Sequence, residues 1–459
     1  MTLLQTVIEL TGEWHSAFAQ ARTALRAQRH AVCTLCTLGR RTISRCIMSA
    51  QEQWRDWSSD YLLYSRSTWE AAQLFTPACR YTAAHSYPRH IAVAFDDTRL
   101  KKTGRNIPGA HWQRDPLSPP FHVNLVFGLR RLQAAALVPL HRFAGVAARG
   151  IPVAFDDAPV VKKPGKRATP EAWTAYHAQR RTVNLPLQLI AQVRRLRAAY
   201  NQLGAWDKLL VAVVDGSFCN RAVFRAVLER VVILARCRKD ARLCRPAAPG
   251  SRRVYDKTTF TPDEVRRDES IPTHTGSFFY GGAWRTLRYK VVAPVLWRTG
   301  SGPRQLRVIV MLPVPYRQTH TGKLLYREPA YLLTTDLETP VELLIQMYCD
   351  RWEIEVNHRD EKDVLGVGQA QVRTPPSVER QPALVVAAYS VLLIAALMVH
   401  GPERTAAYEA LPRWRRRARR ASCLDMVTLL RKECVEHPDV LRTIGLHLDS
   451  DALMRAAAA

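Results

Sequence analysis

Three acidic residues stand where phosphoryl-transfer chemistry could use them. Asp97 follows a short apolar, β-prone run from Ile91 to Phe95, and Asp215 follows a second from Leu209 to Val214. Glu355 lies in a stretch with helical periodicity. Carboxylates at the ends of adjacent strands converge on one edge of a sheet, and a helix packed beside that edge can add a third. Three carboxylates offer the hard oxygen donors that Mg²⁺ or Mn²⁺ prefers. Two such ions can activate a water or a 3′-hydroxyl and stabilise the leaving oxygen in phosphoryl transfer. Asp97 alone carries little weight, because Asp ends many strands as a turn residue.

The helix around Glu355 carries more. At about 100° per residue, Tyr348, Arg351, Glu355 and Lys362 fall within a stripe of roughly 60°. A neighbouring stripe of Ile345, Cys349, Trp352 and Val356 is expected to pack on the sheet. The first stripe sets a carboxylate among two cations and a phenol, and Arg and Lys there can hold phosphates. Spacing alone leaves a second reading open, a solvated helix in which Arg351 pairs with Glu355.

Tyr348, Arg351, Glu355 and Lys362 meet the pattern Y-x2-R-x3-E-x6-K at all four positions. This resembles the signature of bacterial insertion-sequence DDE transposases of the insertion-sequence-4-like type. The apolar strand ending in Asp96-Asp97-Thr98, the strand ending in Asp215-Gly216 and the β-rich stretch before Glu355 also look like that family. The resemblance implies an RNase H-like core in which Asp97, Asp215 and Glu355 hold two Mg²⁺ or Mn²⁺ ions. It implies that Tyr348, Arg351 and Lys362 contact DNA phosphates near a transposon end. The implied partners are terminal inverted repeats and target DNA, with a dimer on the DNA, in the nucleoid-associated cytoplasm of a bacterium. Adjacent strand residues face opposite ways, so only one of Asp96 and Asp97 can point into the site; the family's Asp-Thr pairing favours Asp97.

The elements that must position these residues fall in five segments. Residues 1–85 read as a helical, DNA-binding region, in which Leu38 to Arg45 fits a turn entering a basic recognition helix, although the local signal alone favours a solvated basic helix in a bundle. Residues 86–240 read as the first part of a mixed α/β core, with strands at Ile91–Phe95, His122–Leu129 and Leu132–Phe143 before the helix–strand units around Asp215. Residues 241–335 read as a β-rich insertion, residues 336–405 as the rest of the core, and residues 406–459 as a basic C-terminal region. The repeated AFDD at Ala154 to Asp157 follows Pro152 and is expected in a loop. Within the insertion, Trp297 is the candidate to stack on a flipped base; a strand Trp packed in a small core is the plainer reading. Six arginines surround Trp414 between Arg413 and Arg420; a solvated surface is the plain reading, but the Trp and the net charge favour phosphate contact, and Arg415 and Arg416 are expected to touch DNA backbone.

The whole chain has 459 residues and a net charge of +27, which calls for a polyanionic partner. No secretory pattern appears at Met1 to Gly12, so the ten cysteines are expected to be reduced thiols. The apolar run Ala383 to Val399 is short for a membrane span and reads as a buried helix, so no membrane partner is expected. Two further functions fit the acidic triad: an RNase H-like endonuclease without transposition, and a non-catalytic DNA-binding protein of transposase descent. The helical N-terminal region and the β insertion favour the transposase.

Overall fold

The computed structural model describes all residues except Pro116, Leu117, Pro120, His320, Arg416, Arg417, 450–452 and 454–459, and the side chain of Phe143. Its centre is a mixed sheet. Strand β1 (His90–Lys101) runs parallel to a strand at Leu209–Val214, which runs parallel to one at Val231–Arg236. Between them in sequence come β2 (His111–Arg114), β3 (Leu125–Val138) and β4 (Arg149–Asp157). The two later parallel strands are therefore β5 and β6. β3 lies antiparallel to β1, and β4 antiparallel to β3. The order β4-β3-β1-β5-β6 puts the C-terminal ends of β1, β5 and β6 on one edge.

Alternation sets the two faces of β1. Ile91, Val93 and Phe95 join the core beneath α5 (Thr76–His85) and α8 (Leu185–Gln202). Ala92 and Ala94, with Val211 and Val213 of β5, pack against Leu344, Ile345, Met347 and Ile354. The small residues of β1 thus lie under the segment that carries Glu355.

Two sequence expectations fail here. The expected strands His122–Leu129 and Leu132–Phe143 are one strand, β3, because Arg130 and Arg131 stay in the ladder opposite Arg99 and Thr98. Arg131 is fully buried, ion-paired to Asp157 and donating to the Val378 carbonyl. The strand stops before Pro139, and His141–Ala144 forms a short helix, α6. Nor is Asp157 in a loop: it ends β4, an edge strand that accommodates Pro152 at a register shift.

The β-rich region continues the same sheet. Strands β7 (Leu243–Pro246), β8 (Tyr255–Phe260), β9 (His274–Tyr280), β10 (Ala283–Trp297) and β11 (Gly302–Met311) lead through the small hairpin β12 (Pro315–Arg317) and β13 (Leu324–Tyr326) to β14 (Ala330–Thr334). β14 pairs with both β6 and β11, so β7 to β11 extend the central sheet rather than standing apart.

Helices α1 (Leu3–Gly12), α2 (Ala21–Cys36), α3 (Ile43–Ser49) and α4 (Ser58–Ser65) share one core with α13 (Pro375–His400) and α14 (Cys423–Glu436). N- and C-terminal segments therefore fold as one layer. The basic turn before α3 is partly structural: Arg41 is buried and donates to the Thr34 carbonyl at 2.9 Å. α13 is the one helix among the described residues long and apolar enough to cross a membrane, and 89% of its apolar window is buried by the protein. The remaining helices are α7 (Pro170–Thr182), α9 (Arg221–Arg225), α10 (Pro262–Arg267), α11 (Val341–Asp350), α12 (Glu353–Arg359) and α15 (Pro438–Arg442).

Candidate active site

A cavity of about 890 Å³ opens at the C-terminal edge of β1, β5 and β6. Asp96, Asp215 and Glu355 line it, together with Tyr348 and Arg351. The acid from β1 is Asp96, not the expected Asp97. The parallel ladder pairs Ala94 with Val213 and Phe95 with Val214, so the next step sets Asp96 beside Asp215 on the face covered by α11 and α12. Asp97 points to the opposite face. Its carboxylate accepts from Arg130 Nε at 2.7 Å and lies 3.7 Å from Arg99.

Burial pushes the Asp96 carboxyl up to about 7, and the charge of Asp215 adds to the effect. Asp215 caps the turn after β5, accepting from the Ser217 N–H at 2.9 Å and from its hydroxyl at 2.6 Å. Behind Asp96 stands His358, with Nδ1 at 3.9 Å. Burial lowers its imidazole to about 3, helped by Lys362 and Arg351, so it is neutral at pH 7.

The Glu355 segment is not one straight helix. α11 ends at Asp350, whose buried carboxylate accepts from Gln346 at 2.9 Å and from the Tyr87 hydroxyl at 3.3 Å and sits 3.0 Å from His141. A turn at Arg351 and Trp352 precedes α12, and a π-helical turn at Asp360–Val364 follows it. The break shifts the buried stripe to Leu344, Ile345, Met347 and Ile354, and leaves Trp352 62% exposed instead of packed on the sheet. Arg351 Nη2 donates to Glu355 Oε1 at 2.8 Å. The π-turn carries Lys362, close enough to feel the charge of Asp96; burial lowers its ammonium.

As the side chains stand, no three His, Cys, Asp or Glu among the described residues are grouped to hold a metal. The donor chemistry nevertheless fits a hard divalent cation. Two carboxylates share a partly buried site at a charge cost that shows in Asp96, and a third is one ion pair away.

The opposite wall is cationic, which the sequence reading missed. Arg236 ends β6, Arg238 and Lys239 follow it, and Arg266 and Arg267 project from α10. Arg238 pairs with Asp240, and Asp263 takes both arginines of α10 and the Tyr331 hydroxyl. Arg236 and Lys239 have no ion pair among the described residues. Cations directly after a strand that neighbours Asp215 were the available signal.

Trp297 is not brought into the cavity. Its ring packs edge-on against Phe224 at 5.6 Å and covers Gly300, where a Cβ would overlap it. The C-terminal arginines also divide. Arg420 bonds Glu353 at 2.9 Å, Arg419 bonds Glu403 at 2.8 Å, and Arg415 stands 3.5 Å from Asp425. Arg416 lies outside the described residues. Trp414 is 89% exposed.

No curated protein matches the chain. Residues 178–391, which include Asp215, Tyr348, Arg351, Glu355 and Lys362 but not β1, match the family described as the transposase DDE domain, and that match supports a DDE transposase.

Proposed function

We propose that the protein is an insertion-sequence-4-like DDE transposase, which cuts transposon-end DNA and joins the freed 3′-end to target DNA, with Asp96, Asp215 and Glu355 as its acidic triad. The observation that carries this is the meeting of Asp96 and Asp215 on adjacent parallel strand ends in one cavity with Glu355. These carboxylates would hold two Mg²⁺ or Mn²⁺ ions, which supply activation of the attacking oxygen and stabilisation of the leaving one.

The rest of the work falls to the cavity's own side chains. Tyr348 and Arg351 from one wall, and Arg236 and Lys239 from the other, bind and orient the phosphates on either side of the cut, with Lys362 adding positive charge from the π-turn behind Asp96. Arg351 occupies Glu355 before DNA arrives. A phosphate that draws Arg351 away frees that carboxylate, so substrate binding and completion of the acidic site are coupled. Joining two ends requires two active sites, hence a dimer on DNA in the bacterial nucleoid.

The test is Mg²⁺-dependent cleavage of a duplex carrying the element's ends, with wild type beside Glu355→Gln and Asp96→Asn. Boundary cutting by wild type alone supports the reading. Cutting without strand transfer to a second duplex makes the protein an endonuclease. Binding without cutting makes it a DNA-binding protein. Equal cutting by all three places the active site elsewhere.

A further inference from the structure

We propose that the loop after β4 and helix α7 form a second DNA-binding surface that grips duplex backbone beside the catalytic cavity. No residue from Pro159 to Asn184 is buried, and α7, thirteen residues long, contributes nothing to any core. The helix has no packed face, and Trp173, Tyr176 and three alanines among its polar residues leave a surface open to contacts outside the fold. Its composition says which. Lys162, Lys163, Lys166, Arg167, Arg180 and Arg181 stand against a single acid, Glu171. None of the six has an ion pair among the described residues, whereas Arg415, Arg419 and Arg420 near Trp414 face Asp425, Glu403 and Glu353.

Loop and helix form one patch. Lys163 Nζ sits 5.6 Å over the Trp173 ring. Trp173, Tyr176 and His177 contact one another along one side of α7, and Arg180 continues that side by helical spacing. At 1.5 Å per residue α7 is about 20 Å long, a length that spans roughly half a turn of duplex along its axis.

Its place in the fold makes DNA the fitting occupant. The segment leaves the sheet at Asp157 and returns at α8, where Gln188 donates to the Pro159 carbonyl at 3.1 Å and Gln192 to Asp156 at 2.8 Å. Asp156 lies opposite Leu132, which lies opposite Asp97. Both ends are therefore fixed near the C-terminal end of β1, two strands or about 10 Å away from it, on the face of the sheet that carries Asp97 and α8. A duplex with one phosphate at Asp96 and Asp215 would meet α7 where its flank passes over that end of the sheet. The patch would add sequence-independent affinity and register, since phosphate contacts position DNA without reading bases.

The experiment compares the full chain with two variants, the loop set Lys162, Lys163, Lys166 and Arg167→Gln and the helix set Arg180 and Arg181→Gln, each in a Glu355→Gln background that does not cut. The probe is a fluorescent 40-base-pair duplex of arbitrary sequence, titrated over a salt series. All these side chains are exposed, so melting curves should match. The expected result is at least tenfold weaker Kd for the loop set near 0.1 M salt and a log–log salt slope shallower by about three, from roughly 0.9 per lost phosphate contact. The helix set should lower the slope by about one to two. Unchanged slope and Kd within twofold would overturn the proposal. So would an altered mass in DNA-free solution with an unchanged slope, which would make α7 a contact between copies. Failure of the catalytic reading would show separately, as absence of cutting by wild type.

Discussion

Arg351 holds Glu355 at 2.8 Å across the turn that separates α11 from α12. The same arginine lines the cavity with Asp96 and Asp215, so it faces both the acids and any phosphate that enters. An i,i+4 pair of this kind, with Glu355 a third exposed, stabilises by about 0.5 to 1 kcal/mol. Arg351→Ala should therefore raise Mn²⁺ affinity of the DNA-free protein about two- to fivefold, while DNA cleavage falls at least tenfold. Titration by electron paramagnetic resonance reads the first effect. Weaker Mn²⁺ binding would show that Arg351 does not restrain Glu355.

The two neighbouring aspartates should behave differently. Asp96→Asn should abolish cleavage, by about 10³-fold or more, with little loss of stability. Asp97→Asn should leave Arg130 and Arg99 short of a partner and destabilise by about 1 to 2 kcal/mol. Cleavage per folded molecule should survive. Chemical unfolding and single-turnover cleavage on both proteins separate the roles, and the opposite pattern would return Asp97 to the site.

Lys102 ties the end of β1 to the loop beyond the Glu355 segment, donating to the Gly368 and Ala370 carbonyls at 2.8 and 2.7 Å. Burial lowers its ammonium to about 8, and Arg131 adds to this. The folded state then releases a proton that the unfolded chain keeps up to about 10.4. Stability from this group is absent below pH 8 and grows as pH rises toward the unfolded value, by up to about 3 kcal/mol. Melting of wild type against Lys102→Met at pH 7.5 and 9.5 should show the gap shifting in favour of wild type at the higher pH. A gap independent of pH would mean that Lys102 stays charged in the fold.

Arg420 anchors α12 through Glu353, and both are largely buried. Arg420→Ala should destabilise by about 3 kcal/mol, because Glu353 would keep a buried, uncompensated charge. Arg413→Ala should change stability by less than about 0.5 kcal/mol. Thermal melts of the pair decide it. Equal, small effects would return Arg420 to the DNA-facing surface.

Much of the site was legible in the chain because its signals are local. Strands read from β-prone runs before Asp97 and Asp215, and helical periodicity around Glu355, appear as β1, β5, α11 and α12. Of the four residues in the Tyr348-to-Lys362 pattern, Tyr348, Arg351 and Glu355 line one cavity, and Lys362 lies on the π-turn outside its lining. The buried helix expected over Ala383 to Val399 is part of α13. Where the reading slipped, a distant partner had intervened. Arg131 stayed in β3 because Asp157 neutralises it, and Trp352 swung outward because the Asp350 network ends α11 early.

The sequence by itself determined the ingredients: an excess of cations for a polyanion, two strand-end acids, and a helical acid set among a phenol, an arginine and a lysine. Side-chain chemistry and short-range periodicity are properties of neighbours in the chain. Which of Asp96 and Asp97 faces the site was decided only by tertiary structure, because a strand alternates its faces and only the register of β1 on β5, with α11 and α12 above it, says which face is which. The division of the arginines followed the same rule: Arg420 pairs with buried Glu353, and Arg180 and Arg181 of α7 have no ion pair among the described residues, as the distant carboxylates that neutralise a charge are chosen by the fold.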